Sequence, residues 1–485
     1  MGRFVARRVT VHASPVTHPV GQARGMGRNR WLGGTVLALV SATFLAWRTT
    51  QEMSILGNHD RLLVEILLLW VAWAVALACL RRSGGRHVLL VVVLGATALR
   101  LAALTPVVPL SDDLYRYAWD GKVQASGTDP YRYPPTAPEL AGLRDDWLFP
   151  DDAECERRGK DPGCTIINRP GVRTLYPPVA QGWFLLGHSL GASELEDLGW
   201  ELFALLADVA TMVLLWRVLL RVGRDPRWVA VYAWSPVAVL EAVQNGHVDG
   251  LAALLVVVAI SLHGRRPGWS GAALGAAAMV KLYPALLLPV LLGRRPVRVV
   301  TAFVAVCVVS YVPHLLAVGW DVAGYLPGYL QEEDYVEGDR YLLLTPLGIT
   351  GAAATLGAGV AGLTVVAVVL RRVRAVPRAA DPTVVVAGAG CLLLGAALLL
   401  ATPVQPWYGL PLAAMAAIAV RPVWLAVPLA AYPAFFAVVP AGPSEGAARL
   451  GSAVFAAALV AVVVAARRRA GQLALPGPPE VVRTD

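Results

Sequence analysis

From its N-terminus onward the chain alternates long apolar runs with polar breaks that mostly carry arginine. The apolar runs fall at about 31–48, 61–80, 88–109, 198–220, 228–243, 250–263, 268–280, 283–292, 297–318, 346–370, 381–401, 408–420, 423–440 and 450–466. Runs near twenty residues match a hydrocarbon core ~30 Å thick at a helical rise of ~1.5 Å per residue, so they predict membrane-crossing helices. The runs 250–263, 268–280 and 283–292 are shorter and read as partial crossings or hairpins sheltered inside a bundle. The pattern predicts an all-α polytopic membrane protein, a helical bundle of about twelve to fourteen transmembrane or partly spanning helices.

The breaks are of two kinds. Two are long and polar: residues 110–197, and residues 319–345 with the acidic stretch QEEDYVEGD. The rest are short, and their basic residues sort by side. With the N-terminus cytoplasmic, that face receives Arg3, Arg7, Arg8, Arg24, Arg28 and Arg30, then RRSGGR from 81, RVGRDPR from 221, GRRPG from 264, GRRPVR from 293, RRVRAVPR from 371 and RRR from 467. The opposite short loops, TPVQPW and AGPSEGAAR, carry almost no basic charge, which is the asymmetry that orients membrane proteins. The first thirty residues hold no apolar core before Trp31, so no secretory leader is expected. The reading divides the chain into a basic cytoplasmic segment 1–30, a transmembrane domain 31–466 that includes both long loops, and a cytoplasmic tail 467–485. The chain is then a multi-pass protein of the inner (plasma) membrane, with both termini inside and both long loops outside. A polar loop of about ninety residues exceeds what joining two helices requires, so 110–197 reads as a functional cap. Within it, LYPPVAQGWFLLGHSL at 175–190 reads as an amphipathic interfacial helix.

Composition agrees with the membrane reading. The 485 residues are 56% hydrophobic and 15% charged, with a mean hydropathy of +0.58, whereas soluble domains carry about a quarter charged residues. The net charge of +9 is scattered between apolar runs rather than gathered on one face, so nucleic acid is not the expected partner. Of the five cysteines, Cys79, Cys307 and Cys391 sit in apolar runs as small core residues. Cys155 and Cys164 share one polar stretch and form the pair placed for a disulfide if that stretch is extracytoplasmic. Zinc is disfavoured there because no histidine lies nearby, and no metal site is expected.

The densest chemistry is SDDLYRYAWDG at 111–121. Ser111 as a helix cap, with Asp112 and Asp113 in the first turn, would explain two acids through the helix dipole. It does not explain Asp113, Arg116, Tyr117 and Asp120 recurring at steps of three and four, which share one helical face. Arg100 and Asp208 lie about ten residues inside the outer ends of their runs, at matching depth, and are placed either to pair or to contact a ligand. EAVQNGHVDGL gathers Glu241, Gln244, Asn245, His247 and Asp249 at an outer turn. Lys281 closes an apolar run on the same side, where it either snorkels or meets a phosphate.

Taken together, SDDLYRYAWDGKVQASGTDPYRY, LYPPVAQ, NGHVDGL, VKLYPALLLP, GYLPGYLQEEDYVEGDRY and PWYGLPL resemble the GT-C superfamily of membrane glycosyltransferases. More narrowly they resemble the actinobacterial polyprenyl-phosphate-mannose-dependent α-mannosyltransferases that build lipomannan-type glycans of the cell envelope. The resemblance spans roughly 88–415, and the segment around Cys155 and Cys164 looks like an addition to the common pattern. It implies a GT-C-like bundle whose extracytoplasmic loops form the active site. It also implies a lipid-borne polyprenyl-phosphate-mannose donor, a glycan or glycolipid acceptor, and no separate cofactor. It maps the catalytic base onto Asp113, which an aliphatic residue and a tyrosine follow, with Asp112 as second choice. Arg116, Tyr117, Asp120, Tyr176, His247, Asp249, Lys281 and Arg340 would bind substrate, and Arg173 is a further candidate for the phosphate. The alternative is a transporter or flippase for a lipid-linked saccharide, which also uses many helices and embedded charges.

Overall fold

The computed structural model describes residues 20–51, 59–104, 110–158, 160–293, 295–333, 338, 340–376, 381–439, 442 and 444–474. Expectations for residues 1–19 and for the tail from 475 lie outside these, as does much of the acidic stretch at 334–339. The described residues are helical, with no strand. Seven helices are long and apolar enough to cross a membrane, or eight if one bent pair counts as a span. Val88–Ala103, Pro406–Ala419 and Pro422–Val438 are apolar but shorter. This is a polytopic helical membrane protein. Its outward faces carry exposed Leu37, Val40, Leu68, Val71, Leu206, Val309, Leu316 and Leu363, side chains that lipid rather than water must cover.

Several apolar runs become broken helices, and proline is the cause. The run 228–243 divides into Pro226–Val229, Ala230–Ala233 and Pro236–Val239, then a π-turn at Leu240–Gln244. Pro226 and Pro236 each lack the N–H needed to continue a preceding helix, and each sits at the first position of a new one. After the π-turn the chain bends by 119° into Asp249–Leu262. The run 283–292 is likewise two short turns, Tyr283–Leu287 and Leu288–Leu291. At the two ends of the chain, helices extend past the expected boundaries, with Val20–Gln51 starting inside the basic segment and Glu445–Ala474 running past 466.

Two packed cores organise the molecule. The larger fills the bundle and is rich in Leu, Val and Ala, with Trp70, Trp73, Trp234 and Phe455 among its bulky members. Close helix approach depends on glycine: a Cβ at Gly271 or Gly275 would collide with the backbone of Val299 or Phe303 on helix Pro296–Val318. The smaller core lies under the cap and is aromatic, built from Tyr115, Tyr117, Trp119, Tyr176, Phe184, Trp200 and Phe203 with Val248 and Val280. It clamps helix Asp113–Ala125 onto helix Pro178–Ser189, which meet at Gly121. At the cap's rim Cys155 and Cys164 form a disulfide across a separation of 9 residues. Deep in the bundle Arg100 Nε lies 2.9 Å from Asp208 Oδ2, and Arg100 Nη2 lies 3.2 Å from Asp208 Oδ1.

Candidate active site

Polar side chains converge where the cap meets the bend between the π-turn and helix Asp249–Leu262. Helix Asp113–Ala125 starts one residue later than a Ser111 cap implies: Asp112 holds the cap position without a side-chain bond, and Ser111 Oγ accepts the Asp113 N–H at 3.3 Å. Asp112 is exposed, whereas the Asp113 side chain keeps only 14% of its surface open. Asp113 Oδ1 accepts Asn168 Nδ2 at 2.5 Å, and Oδ2 accepts the Tyr117 hydroxyl at 3.4 Å. Oδ2 also lies 3.5 Å from His247 Nδ1.

The turn that delivers His247 is built for this approach. Gly246 adopts φ +57, a left-handed conformation natural to glycine, and a Cβ there would strike Leu114 of the cap helix. The His247 N–H donates to the Glu241 carbonyl at 2.9 Å, which folds the turn back on the π-turn. Asn245 Oδ1 accepts the Leu110 N–H at 3.0 Å and so ties the start of the cap to the same turn. The fully buried His247 ring stacks on Trp407, centroids 4.0 Å apart and planes at 20°. Its Nε2 lies 3.4 Å from Glu241 Oε2. Glu241 in turn accepts the Tyr432 hydroxyl at 2.6 Å and Asn245 Nδ2 at 3.0 Å.

A second charged pair flanks the first. Lys281 Nζ lies 3.2 Å from Asp249 Oδ2, and Asp249 Oδ1 accepts the Tyr283 hydroxyl at 3.0 Å. The ammonium sits over the rings of Tyr176 and Tyr408, 5.4 and 5.3 Å from their centroids. Tyr408 and Tyr329 share a hydroxyl contact at 3.0 Å, and the Arg169 guanidinium lies 5.7 Å over Tyr329 while pairing with Glu332. Arg169 has φ +44, an uncommon conformation for a residue with a Cβ, beside the Asn168 that holds Asp113.

Asp113, Tyr117, Tyr176, His247, Asp249 and Lys281 therefore come together. Arg116 and Asp120 are engaged elsewhere. Helical steps of four separate the expected face into two pairs, Asp113 with Tyr117 and Arg116 with Asp120, the latter at 3.0 Å. Asp120 accepts Thr174 at 2.6 Å and Gln181 at 2.9 Å, and Arg116 donates to the carbonyls of Arg169 and Val172. This buried pair shapes the loop that presents Asn168. Arg340 is bound by Glu333, by Gln405 Oε1 at 3.0 Å and by the Ala401 carbonyl at 3.3 Å. Arg173 pairs with Asp321 at 2.9 Å, half-exposed at the rim. Asn168, Trp407 and Tyr408 are site residues the sequence did not single out, although each lies in a stretch rich in hydrogen-bonding or aromatic groups.

Burial pushes the Asp113 carboxyl up, but His247's hydrogen bond and charge, the charge of Lys281 and a Tyr176 hydrogen bond outweigh it and hold the group well below the usual carboxylate range. For Lys281, burial pulls downward and the charges of Asp249 and Asp113 prevail, so the ammonium stays charged. The site thus offers an ionised carboxylate at its lip, fixed cations beside it and an aromatic wall. Among the described residues no cluster of three or more His, Cys, Asp or Glu is placed to hold a metal ion.

Residues 175–403 match glycosyltransferase family 87. The match supports a membrane glycosyltransferase. It takes in Tyr176, His247, Asp249, Lys281, Tyr329 and Arg340, and it begins after Asp113 and Asn168, whose place in the site rests on geometry. No curated protein and no solved structure matches the chain.

Proposed function

We propose that this protein is an inverting glycosyltransferase that moves a hexose, mannose on the motif resemblance, from a polyprenyl-phosphate donor to a cell-envelope glycan or glycolipid. The reaction takes place on the extracytoplasmic side of the plasma membrane. Asp113 is the general base. A sugar hydroxyl is a weak nucleophile, and a positioned base contributes about 10²- to 10⁴-fold. The acceptor O–H gives its proton to Asp113 as its oxygen bonds to the anomeric carbon. The bond from that carbon to the lipid phosphate breaks on the opposite face, and polyprenyl phosphate departs as the anion. A β-linked donor yields an α-linked product, and Asp113 then returns its proton to solvent.

Lys281 and Arg169 are the cations for the phosphate, whose developing charge is best met by donors already in position. The partly exposed Tyr329 and Tyr408 supply aromatic faces for sugar and lipid head group, and the buried Tyr176 and Trp407 back Lys281 and His247. Arg116 and Asp120 serve by holding the Asn168 loop, and His247 and Asp249 by holding Asp113 and Lys281. The observation that carries the reading is an Asp113 carboxylate kept ionised at a partly open lip beside the partly buried Lys281. A transporter site is expected near mid-depth in the bundle, whereas the polar side chains here gather where the cap meets the bend, and the deep pair Arg100 and Asp208 bind each other.

The test presents purified protein in lipid nanodiscs with polyprenyl-phosphate mannose, polyprenyl-phosphate glucose and nucleotide-activated mannose. Transfer from a polyprenyl phosphate alone, with an inverted anomeric centre by NMR, is the expected result. Transfer from the nucleotide sugar, or retention of configuration, would refute it.

A further inference from the structure

Glu241 is a buried acid with no part in the reaction as written above. We infer that Glu241 is a positioning residue of this site: acting through the His247 imidazolium, it keeps Asp113 ionised and aimed at the lip. The inference deepens the proposed function and rests on it for its kinetic consequence, though not for its electrostatic one.

His247 has a carboxylate at each ring nitrogen, Asp113 at 3.5 Å and Glu241 at 3.4 Å, and its ring is fully buried. These are ion-pair contacts longer than a strong hydrogen bond, so their effect is mainly Coulombic and survives imperfect alignment. Three carboxylates crowd the region, Asp113, Glu241 and Asp249, and Lys281 is committed to Asp249 at 3.2 Å. A neutral imidazole would leave Asp113 and Glu241 as buried anions on either side of one uncharged ring, an expensive arrangement. A positive charge on the ring would meet both at once.

The groups that face this chain come from every side. Asp113 sees Tyr117 on its own helix, Tyr176 and Lys281 from the opposite wall, and Asp112 as its exposed neighbour. Arg169 adds a more distant positive charge. Glu241 sees Tyr432 from helix Ala426–Val438, Asn245 from the turn, and the charge of Asp249. Tyr432 and Asn245 together hold the Glu241 carboxylate fixed, so its charge bears on the ring from a constant position. Trp407, stacked on the ring, prevents it from turning away from either carboxylate.

Removing the Glu241 charge leaves one carboxylate beside the ring instead of two, and weakens the positive charge that faces the buried Asp113. The loss of an opposite charge at this range raises a carboxyl pKa by about one to three units. Because the ionised form does the work, activity falls on the acid side and is preserved on the alkaline side.

The experiment compares wild type with Glu241→Gln, which keeps the shape and can still accept one of the two hydrogen bonds from Tyr432 and Asn245, and with His247→Gln, which removes the ring and serves should Glu241→Gln not fold. Two readouts are taken: the pH dependence of kcat/KM for sugar transfer, and isotope-edited infrared titration of the Asp113 carboxyl, which needs no turnover. We expect the acid limb and the Asp113 titration to rise together by about one to two pH units in both variants, with donor KM within about threefold of wild type. An unshifted Asp113 titration overturns the inference, as does a uniform loss of activity at every pH, the mark of a merely structural role. Should wild type transfer no sugar at all, the proposed function fails by itself, and the infrared titration still decides whether Glu241 governs Asp113.

Discussion

Two aspartates of this protein sit beside cations in buried surroundings and do opposite things. Asp208, fully buried, takes Arg100 through both oxygens and the Tyr232 hydroxyl at 2.9 Å, and the remaining Arg100 nitrogen donates to the Ala233 carbonyl. Every strong valence is filled. Asp113 has a neutral amide and a phenol in hydrogen-bond reach, an imidazole at ion-pair distance, and part of its side chain open. The difference teaches that a buried charge is not itself the sign of a site. What marks the site is a charge held ionised by its surroundings and left with an unfilled direction.

Stability should separate the two regions most sharply. Asp208→Ala leaves Arg100 charged and unpaired inside the bundle, and breaking a buried pair costs about 3–5 kcal/mol. Thermal unfolding in detergent, followed by fluorescence, should show a large destabilisation, with near-normal transfer per folded molecule. A variant that melts like wild type would erase the contrast.

Lys281→Met comes next. It removes the cation that the proposal assigns to the leaving phosphate, and loss of one such preorganised donor costs about 10²- to 10³-fold in kcat. The effect should be smaller on an acceptor analogue's binding than on turnover, and isothermal titration beside kinetics would resolve it. Equal loss in both would make Lys281 a structural partner of Asp249 only.

The smallest effect belongs to the cap's rim. Cys155→Ser with Cys164→Ser opens a short loop, for which chain entropy gives about 2–3 kcal/mol as an upper range. Because the two cysteines lie outside the aromatic core beneath Asp113, transfer should fall less than about threefold, a shift of well under 1 kcal/mol in barrier. A collapse of activity would mean that the rim reaches the site.

Periodic features were readable in the residue pattern, and long-range convergence was not. Apolar runs of membrane length became helices, and equal depth from the outer ends brought Arg100 opposite Asp208. Helical spacing suggested that Asp113 and Tyr117 meet. The same spacing also joined Arg116 and Asp120 to that face, because a four-residue step cannot tell which neighbour a side chain will find across the cap. Asn168 and Trp407 reach the site from 55 residues beyond Asp113 and from the far end of the bundle, and nothing local in NRPG or PWYG announces it. The break at Asn245 and Gly246 was visible as a turn. That it would lie inside the fold, with Glu241 and His247 buried under Trp407, depended on the 119° bend.

The central claim is that Asp113, and not its exposed neighbour, is the base. Transfer from polyprenyl-phosphate mannose, measured per folded molecule for wild type, Asp113→Asn and Asp112→Asn, tests it directly. The account predicts a loss of about 10²- to 10⁴-fold for Asp113→Asn with an unchanged melting profile, and little change for Asp112→Asn. Undiminished transfer by Asp113→Asn would contradict it.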